Sequence, residues 1–494
     1  MSKWHKIGTL GVDLGPQVRY NHAHRNGVAV ELGKLSLPRP QATRRSGGGL
    51  SNRLRLALAV RGWATGPEPQ VRFGHPLLPG LPGLGPSQAD AAVIERARAT
   101  DVLQGRFAYF GSARQFAERL TWDPAGATLP WRRALNSLDA LFALGVTATV
   151  ACDPADRRRC YLAAIALIED WVAHVRPGQG VGWTLPSLAQ RIPHLLYAAA
   201  FFAPELRDDP PTRRGLLQAA YVQSEALSAN LDSHPQDVWR IGAARTLFLA
   251  GRYFDGLAAR GWVEQATQVL WRELREQVND DGGHRDRSPA TQAYVLAQYL
   301  EVLALLQAGR DDIPIWGRKR VRGLADFLAR ITHRDGTLPL FHAVALEVGR
   351  PVGELLAVAA AILQDPTRAA PGELPGVWPG LLLGDPGRRV FAQLTRQRLG
   401  GESRALRRTG YYVMAGAPGD ALVLDGGDAP ADGDGSVLGY ELSLGGSPLI
   451  VHGGFDPDDG SAWHGWYRSA EAHNLPRLLG RGAPPTVVPA VTDG

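Results

Sequence analysis

The chain has 494 residues, 45% hydrophobic and 21% charged, which is enough for two or more domains and an ordinary globular core. Two cysteines, Cys152 and Cys160, exclude a disulfide framework and are expected as free thiols on or near a helix. No run of about eighteen apolar residues is present, so no transmembrane helix is expected. The net charge of +6 is mild, yet only four basic residues are lysines: Lys3, Lys6, Lys34 and Lys319. Arginine in that proportion reads either as codon usage in a GC-rich genome or as guanidinium forks suited to carboxylate- and sulfate-bearing sugars. The N-terminus, MSKWHKIGTLGVDLGPQVRYN, lacks an apolar core of signal-peptide length, and the expected location is cytoplasmic.

Residues 1–100 are rich in Gly, Pro and Arg and read as an extended arm with short helices. Residues 101–400 carry apolar residues at three- and four-residue spacing, as in Tyr161–Val175, Gly215–Leu231, Ile241–Leu257, Trp262–Val278, Ala293–Ala308 and Arg318–Ile331. Breaks such as RPGQGVGW, APELRDDPP, DSHPQD and NDDGG separate these helices. Many mid-length helices without heptads suggest an (α/α) toroid, with a helical bundle or α-solenoid as the alternative. Over residues 401–494 the period falls to two, which predicts a short antiparallel β-sheet domain and an α+β multidomain protein. Strands are predicted at 410–414 and 421–425, then a hairpin in which Tyr440, Leu442 and Leu444 face one way and Glu441 and Ser443 the other. Gly445-Gly446 supplies its turn, and Pro448-Leu-Ile-Val451 its second strand.

The run LGYELSLGGSPLIVHGGFDPDDGSAWHGWYRSAEAHN at 438–474 resembles the start of the β-sheet domain of heparinase II/III-like polysaccharide lyases, which reads GHxHxDxLSFELS, then IVDxG, then RSTxAHNT. Upstream, GRFAYFG, PWRRALNSLDAL, GVGWTLPSLAQRI, RTLFLAGRYF and REQVNDDGGHRDRSP are similar to family segments in the same order. The resemblance implies a toroid followed by a β-sheet domain and an anionic, uronate-containing polysaccharide as substrate. It also implies a lyase that neutralises the sugar carboxylate, removes the C5 proton and protonates the leaving oxygen.

Several chemical positions are substituted. The family's Asn-His pair falls on Val238 and Trp239; Trp239 can stack on a sugar, and His234 and Asp237, in the preceding loop, are the candidates to take over the pair's catalytic role. The family's catalytic Tyr falls on Thr291 and the following His on Gln292. Tyr294, three residues on, either takes the role of base or packs between helices. The GHxH pair falls on Asp432 and Asp434, the first being the catalytic position. Trp183, Arg191, Arg287 and Arg468 are expected to contact substrate, as are Gln292 and Trp466. The aromatic cluster Trp463, His464, Trp466 and Tyr467 either caps a core or stacks on sugar rings. His284 is expected to be structural.

In the family positions that bind a divalent metal stand Asp434, His452 and His473, two imidazoles and one carboxylate suited to zinc. No phosphate loop is present, and no nucleic-acid partner is expected. Three functions remain open: a polysaccharide lyase with a rearranged site in exopolysaccharide metabolism, a non-cleaving glycan-binding relative serving polysaccharide production or export, and a helical scaffold. Neither the sugar nor the oligomeric state is legible.

Overall fold

The computed structural model describes residues 68–72, 77–117, 119–342, 350–365, 374–394, 402–427, 438–454, 462–467 and 469–475. All lie in one compact unit spanning 39–494. Within the expected arm, two 3-10 turns, Leu81–Gly83 and Pro86–Gln88, lead into helix α1 (Val93–Leu103). A hairpin follows, β1 (Arg106–Tyr109) with β2 (Ser112–Gln115).

The helical body then runs α2 (Leu129–Asn136), α3 (Ala140–Val150), α4 (Pro154–His174), α5 (Leu185–Phe201), α6 (Ala203–Asp208), α7 (Pro210–Leu231), α8 (Val238–Tyr253), α9 (Leu257–Gln277), α10 (Pro289–Gly309), α11 (Ile315–Ile331), α12 (Val352–Leu363) and α13 (Trp378–Gln393). Helices start earlier than apolar periodicity alone suggests, because polar caps set their first turns. Asp153 accepts from the Ala155 amide at 2.8 Å, Asp237 from Trp239 at 3.0 Å, and Ser288 from Thr291 at 3.3 Å. Each satisfies a backbone donor that the helix itself leaves unpaired.

Helices α3, α5, α8, α10 and α12 each touch the next, while α4, α7, α9, α11 and α13 pack outside them, forming the (α/α) toroid. The inner helices are apolar nearly all round: α3 reads ALFALGVTATV, and α10 buries residues on every face. The outer α11 buries a single stripe that includes Val321, Leu324, Leu328 and Ile331. No helix of the described residues is long and apolar enough to cross a membrane. Cys160 is buried in α4, Cys152 is exposed just before it, and both are free thiols.

The C-terminal part forms a five-stranded antiparallel sheet in sequential order: β3 (Arg404–Leu406), β4 (Tyr411–Ala415), β5 (Ala421–Asp425), β6 (Tyr440–Leu444) and β7 (Ser447–Ile450). A short helix, α14 (Ala462–Tyr467), follows it. The alternation along β6 is as expected, but its buried face is the polar one: Glu441 and Ser443 are sealed, whereas Leu444 is exposed. That inward face is the surface by which the sheet meets the toroid, and each polar group on it has partners. His333, just past α11, binds Ser443 Oγ through Nδ1 at 2.8 Å and Glu441 Oε2 through Nε2 at 2.7 Å. Glu441 Oε1 accepts from the amides of Leu340 and His452. Buried polar groups without such partners would each cost about 1–3 kcal/mol, so the network specifies how the sheet docks.

The loop before α10 makes the second contact. Asp281 accepts from the Thr409 amide at 2.8 Å and from its hydroxyl at 2.6 Å. Gly282 turns that loop at φ +90° with its Cα against α11; a Cβ there would lie 2.1 Å from the Gly323 carbonyl oxygen. Only glycine meets both demands.

Candidate functional site at the toroid–sheet junction

Successive inner helices are separated by antiparallel outer ones, so α5, α8 and α10 all begin at the same end of the toroid, the end that carries the sheet. The residues singled out by sequence gather there in three groups.

The first surrounds Arg191 of α5, which is fully buried. Its Nε donates to Gln223 Oε1 at 2.7 Å, its Nη1 donates to the Asn136 carbonyl at 2.9 Å, and its guanidinium lies 3.8 Å over the Trp171 ring. Trp183, half-buried, stands 6.1 Å from Trp171 and 5.9 Å from the same guanidinium. No carboxylate pairs with Arg191 among the described residues, and burial pushes its pKa well below the ordinary value. Arg191 thus lies behind the aromatic wall rather than on an open surface. Of the two residues that hold it, Asn136 stands where the resembling family segment carries His, whereas Trp171 was not singled out in the sequence.

The second group joins Trp239 and Tyr294. Their rings meet edge to face at 5.7 Å, and the Arg133 guanidinium lies 6.0 Å from the Trp239 ring. Tyr294 is buried, with its hydroxyl against the backbone of α8 at Gly242. Burial pushes this phenol up to about 12, despite the opposing pull of Arg245. His234 lies 3.3 Å from the carboxylate of Asp237, the residue that caps α8.

The third group ties toroid to sheet. Arg287, at φ +65°, pairs with Asp425 at the end of β5, which also binds His342 Nε2 at 2.5 Å. The Tyr411 hydroxyl donates to the Arg287 carbonyl at 2.7 Å. Gln292 is sealed beneath: its Oε1 accepts from the His284 amide, and its Nε2 donates to the carbonyls of Gly282 and Leu324. His284 is held by Gln277 at 2.9 Å and Asp286 at 2.8 Å, as a structural histidine would be. Thr291 is fully buried.

Trp466 sits on α14, edge to face with Trp463 at 5.9 Å and Tyr467 at 5.1 Å. Asp432, Asp434 and Arg468 lie outside the described residues. His452 and His473 do come together, buried and stacked, with ring centroids 4.0 Å apart and planes 13° apart. Imidazole lone pairs lie in the ring plane, so two stacked rings direct them side by side. A tetrahedral zinc instead needs them to converge at about 2.0–2.1 Å from one point. The stacked pair does not fit a zinc site as it stands, and no group of three metal-binding side chains occurs among the described residues.

Residues 398–474 match the family described as Heparinase II/III-like, C-terminal. The chain is 28% identical over 314 residues to FtsZ-localized protein C of Caulobacter vibrioides, covering 62% of this chain and 51% of that protein. Among solved structures it is similar to heparinase III at a TM-score of 0.62 and 16% identity, covering 85% of this chain and 66% of the other. It is also similar to a second heparinase III, the BT4657 gene product, at 0.53 and 16%, covering 77% and 60%. The chain therefore spans about half the length of the curated relative and about two thirds of heparinase III. Residues 398–474 thus match the C-terminal domain of the heparinase II/III-like family, and the toroid-plus-sheet fold is the one seen in heparinase III.

Proposed function

We propose that this protein binds a strand of anionic polysaccharide without cleaving it. The observation that supports this reading most is Tyr294. A phenol that titrates near 12 keeps its proton at neutral pH, and its hydroxyl faces a helix backbone. A general base works best with a pKa near the operating pH. The neighbouring family positions, Thr291 and Gln292, are sealed in the core. Trp239 and the aromatic group on α14 supply faces on which sugar rings stack.

The test is a binding and turnover panel of acidic polysaccharides. Retention on an immobilised polymer is expected without any rise in ultraviolet absorbance from unsaturated uronate ends. Trp239→Ala should weaken retention about tenfold, the loss typical of a buried aromatic anchor. Appearance of unsaturated ends, abolished by Tyr294→Phe, would reinstate the lyase reading.

The likeness to an FtsZ-localized protein favours a second reading, in which the helical body is a scaffold that associates with FtsZ. Co-sedimentation with FtsZ polymers checks it: saturable pelleting that no polysaccharide displaces would support a scaffold, and none would remove it.

A further inference from the structure

Two rows of side chains cross the outward face of the C-terminal sheet. Ala405, Tyr412, Leu424 and Tyr440 are register partners from β3 to β6, and Met414, Leu422, Leu442 and Ile450 are register partners from β4 to β7. Neither row contains a charged residue. Ala405 and Met414 are exposed, and the other six are half-buried. Leu444 continues the outward set of β6, and Leu449 and Val451 flank Ile450; all three are exposed. An antiparallel sheet with one face towards water ordinarily carries polar residues on that face. Here the polar residues of β6 face the toroid and His333, and a contiguous apolar surface is left outside. Such surfaces mark interaction sites, whereas singly scattered apolar residues do not.

We propose that this face is the contact between two copies of the chain, a two-fold dimer in which the outer faces of the two sheets pack on each other. In such a contact the same patch meets itself, so a charge near its centre would face a like charge. A face without charge avoids that repulsion, and it gives no hold to an anionic polymer or a charged peptide. Pairing at the sheet edges is disfavoured: β7 contains Pro448, which has no N–H to donate, and β3 is three residues long with Arg404 exposed.

Contact is therefore through the face, at the roughly 10 Å separation of packed sheets. With strands about 4.8 Å apart and about 3.3 Å per residue, the five short strands give a face of roughly 350 Å² in plan. Side-chain relief and the hairpin residues enlarge it, so two copies together bury on the order of 1,000 Å², the lower limit for a specific interface and short of a permanent one. The dimer is thus a reversible one. The inference rests on the sheet alone, and the polysaccharide reading does not bear on it.

Sedimentation velocity of the full chain from about 1 to about 100 µM tests this, the range in which an interface of that size assembles. The average mass should rise from that of one chain towards that of two. Met414→Lys and Leu444→Lys, at positions that are 46% exposed, place a cation on the face of both copies. Each should weaken association about tenfold or more. Ile315→Lys, on the toroid at a position 88% exposed, should leave association unchanged. Melting temperatures at the lowest concentration report that each variant is folded, and Leu444→Ser, which adds no charge, should weaken association less than Leu444→Lys. A parent that stays monomeric throughout overturns the proposal, as does a dimer that both lysine variants leave intact. A monomer that instead sediments with neutral phosphatidylcholine vesicles, and is released by Leu444→Lys, assigns the face to a lipid surface and overturns it as well.

Discussion

Asp425→Ala is expected to destabilise the protein by about 3–5 kcal/mol, the usual cost of removing one partner from a buried ion pair. Asp425 is fully buried and is the shared partner of Arg287 from the loop before α10 and His342 from the loop after α11. Without it, the Arg287 guanidinium, in a site that is 9% exposed, loses this carboxylate. The Gly427 amide also loses an acceptor at 3.3 Å. Asp425→Asn keeps hydrogen-bonding capacity while losing the charge, so it should fall between parent and alanine. Asp123→Ala provides the contrast: that carboxylate is 64% exposed beside Arg132, and such surface pairs contribute about 0–1 kcal/mol. Urea midpoints of the three variants check the order, and an Asp425→Ala midpoint equal to that of Asp123→Ala would show that the junction does not depend on this pair.

The second large effect is a pH profile. Glu354, at the start of α12, has its pKa raised to about 7 by burial, against the pull of Arg350. His194 of α5 is lowered to about 4, again chiefly by burial, with Asp139 opposing. For Glu354 the folded state holds its proton more tightly than the unfolded chain. Its contribution to stability is therefore present below about pH 4.5 and lost as pH rises towards 7. For His194 the folded state resists protonation, so stability is present above about pH 6.5 and lost as pH falls towards 4. Each shift corresponds to up to about 3 kcal/mol, and the two slopes oppose each other across nearly the same window. Glu354→Gln should unmask the histidine. Between pH 6.5 and 4 its stability should fall more steeply than the parent's, while above pH 7 it should gain on the parent. Parallel unfolding profiles for parent and variant over pH 4–8 would show that Glu354 titrates normally.

Part of this molecule could be read directly from the chain. Periodicity gave the helices, and caps such as Asp237 and Ser288 explain their extra first turns, because both are properties of neighbours in sequence. The period change after residue 400, the Gly445-Gly446 turn and the order of the family segments identified a toroid followed by a sheet. The candidate site was less legible. Trp183 and Arg191 were expected to contact substrate; they lie 5.9 Å apart, and burial of the guanidinium against Trp171 depends on α2, α4 and α7 packing around it. Arg287 was expected to meet a sugar acid, whereas its partner is Asp425, 138 residues along the chain.

What the sequence by itself determined was which residues share a face: Tyr440, Leu442 and Leu444 on one side of β6, Glu441 and Ser443 on the other. Only the tertiary structure decided which side is inside. The alternation of a strand records its pleat and not its neighbour, and the neighbour here is His333, 108 residues away from Glu441. With that imidazole bonded to both polar side chains, burying the polar face leaves these groups satisfied, and the apolar side turns outward. Local physics thus fixed the elements, and long-range polar pairing fixed how the sheet lies on the toroid.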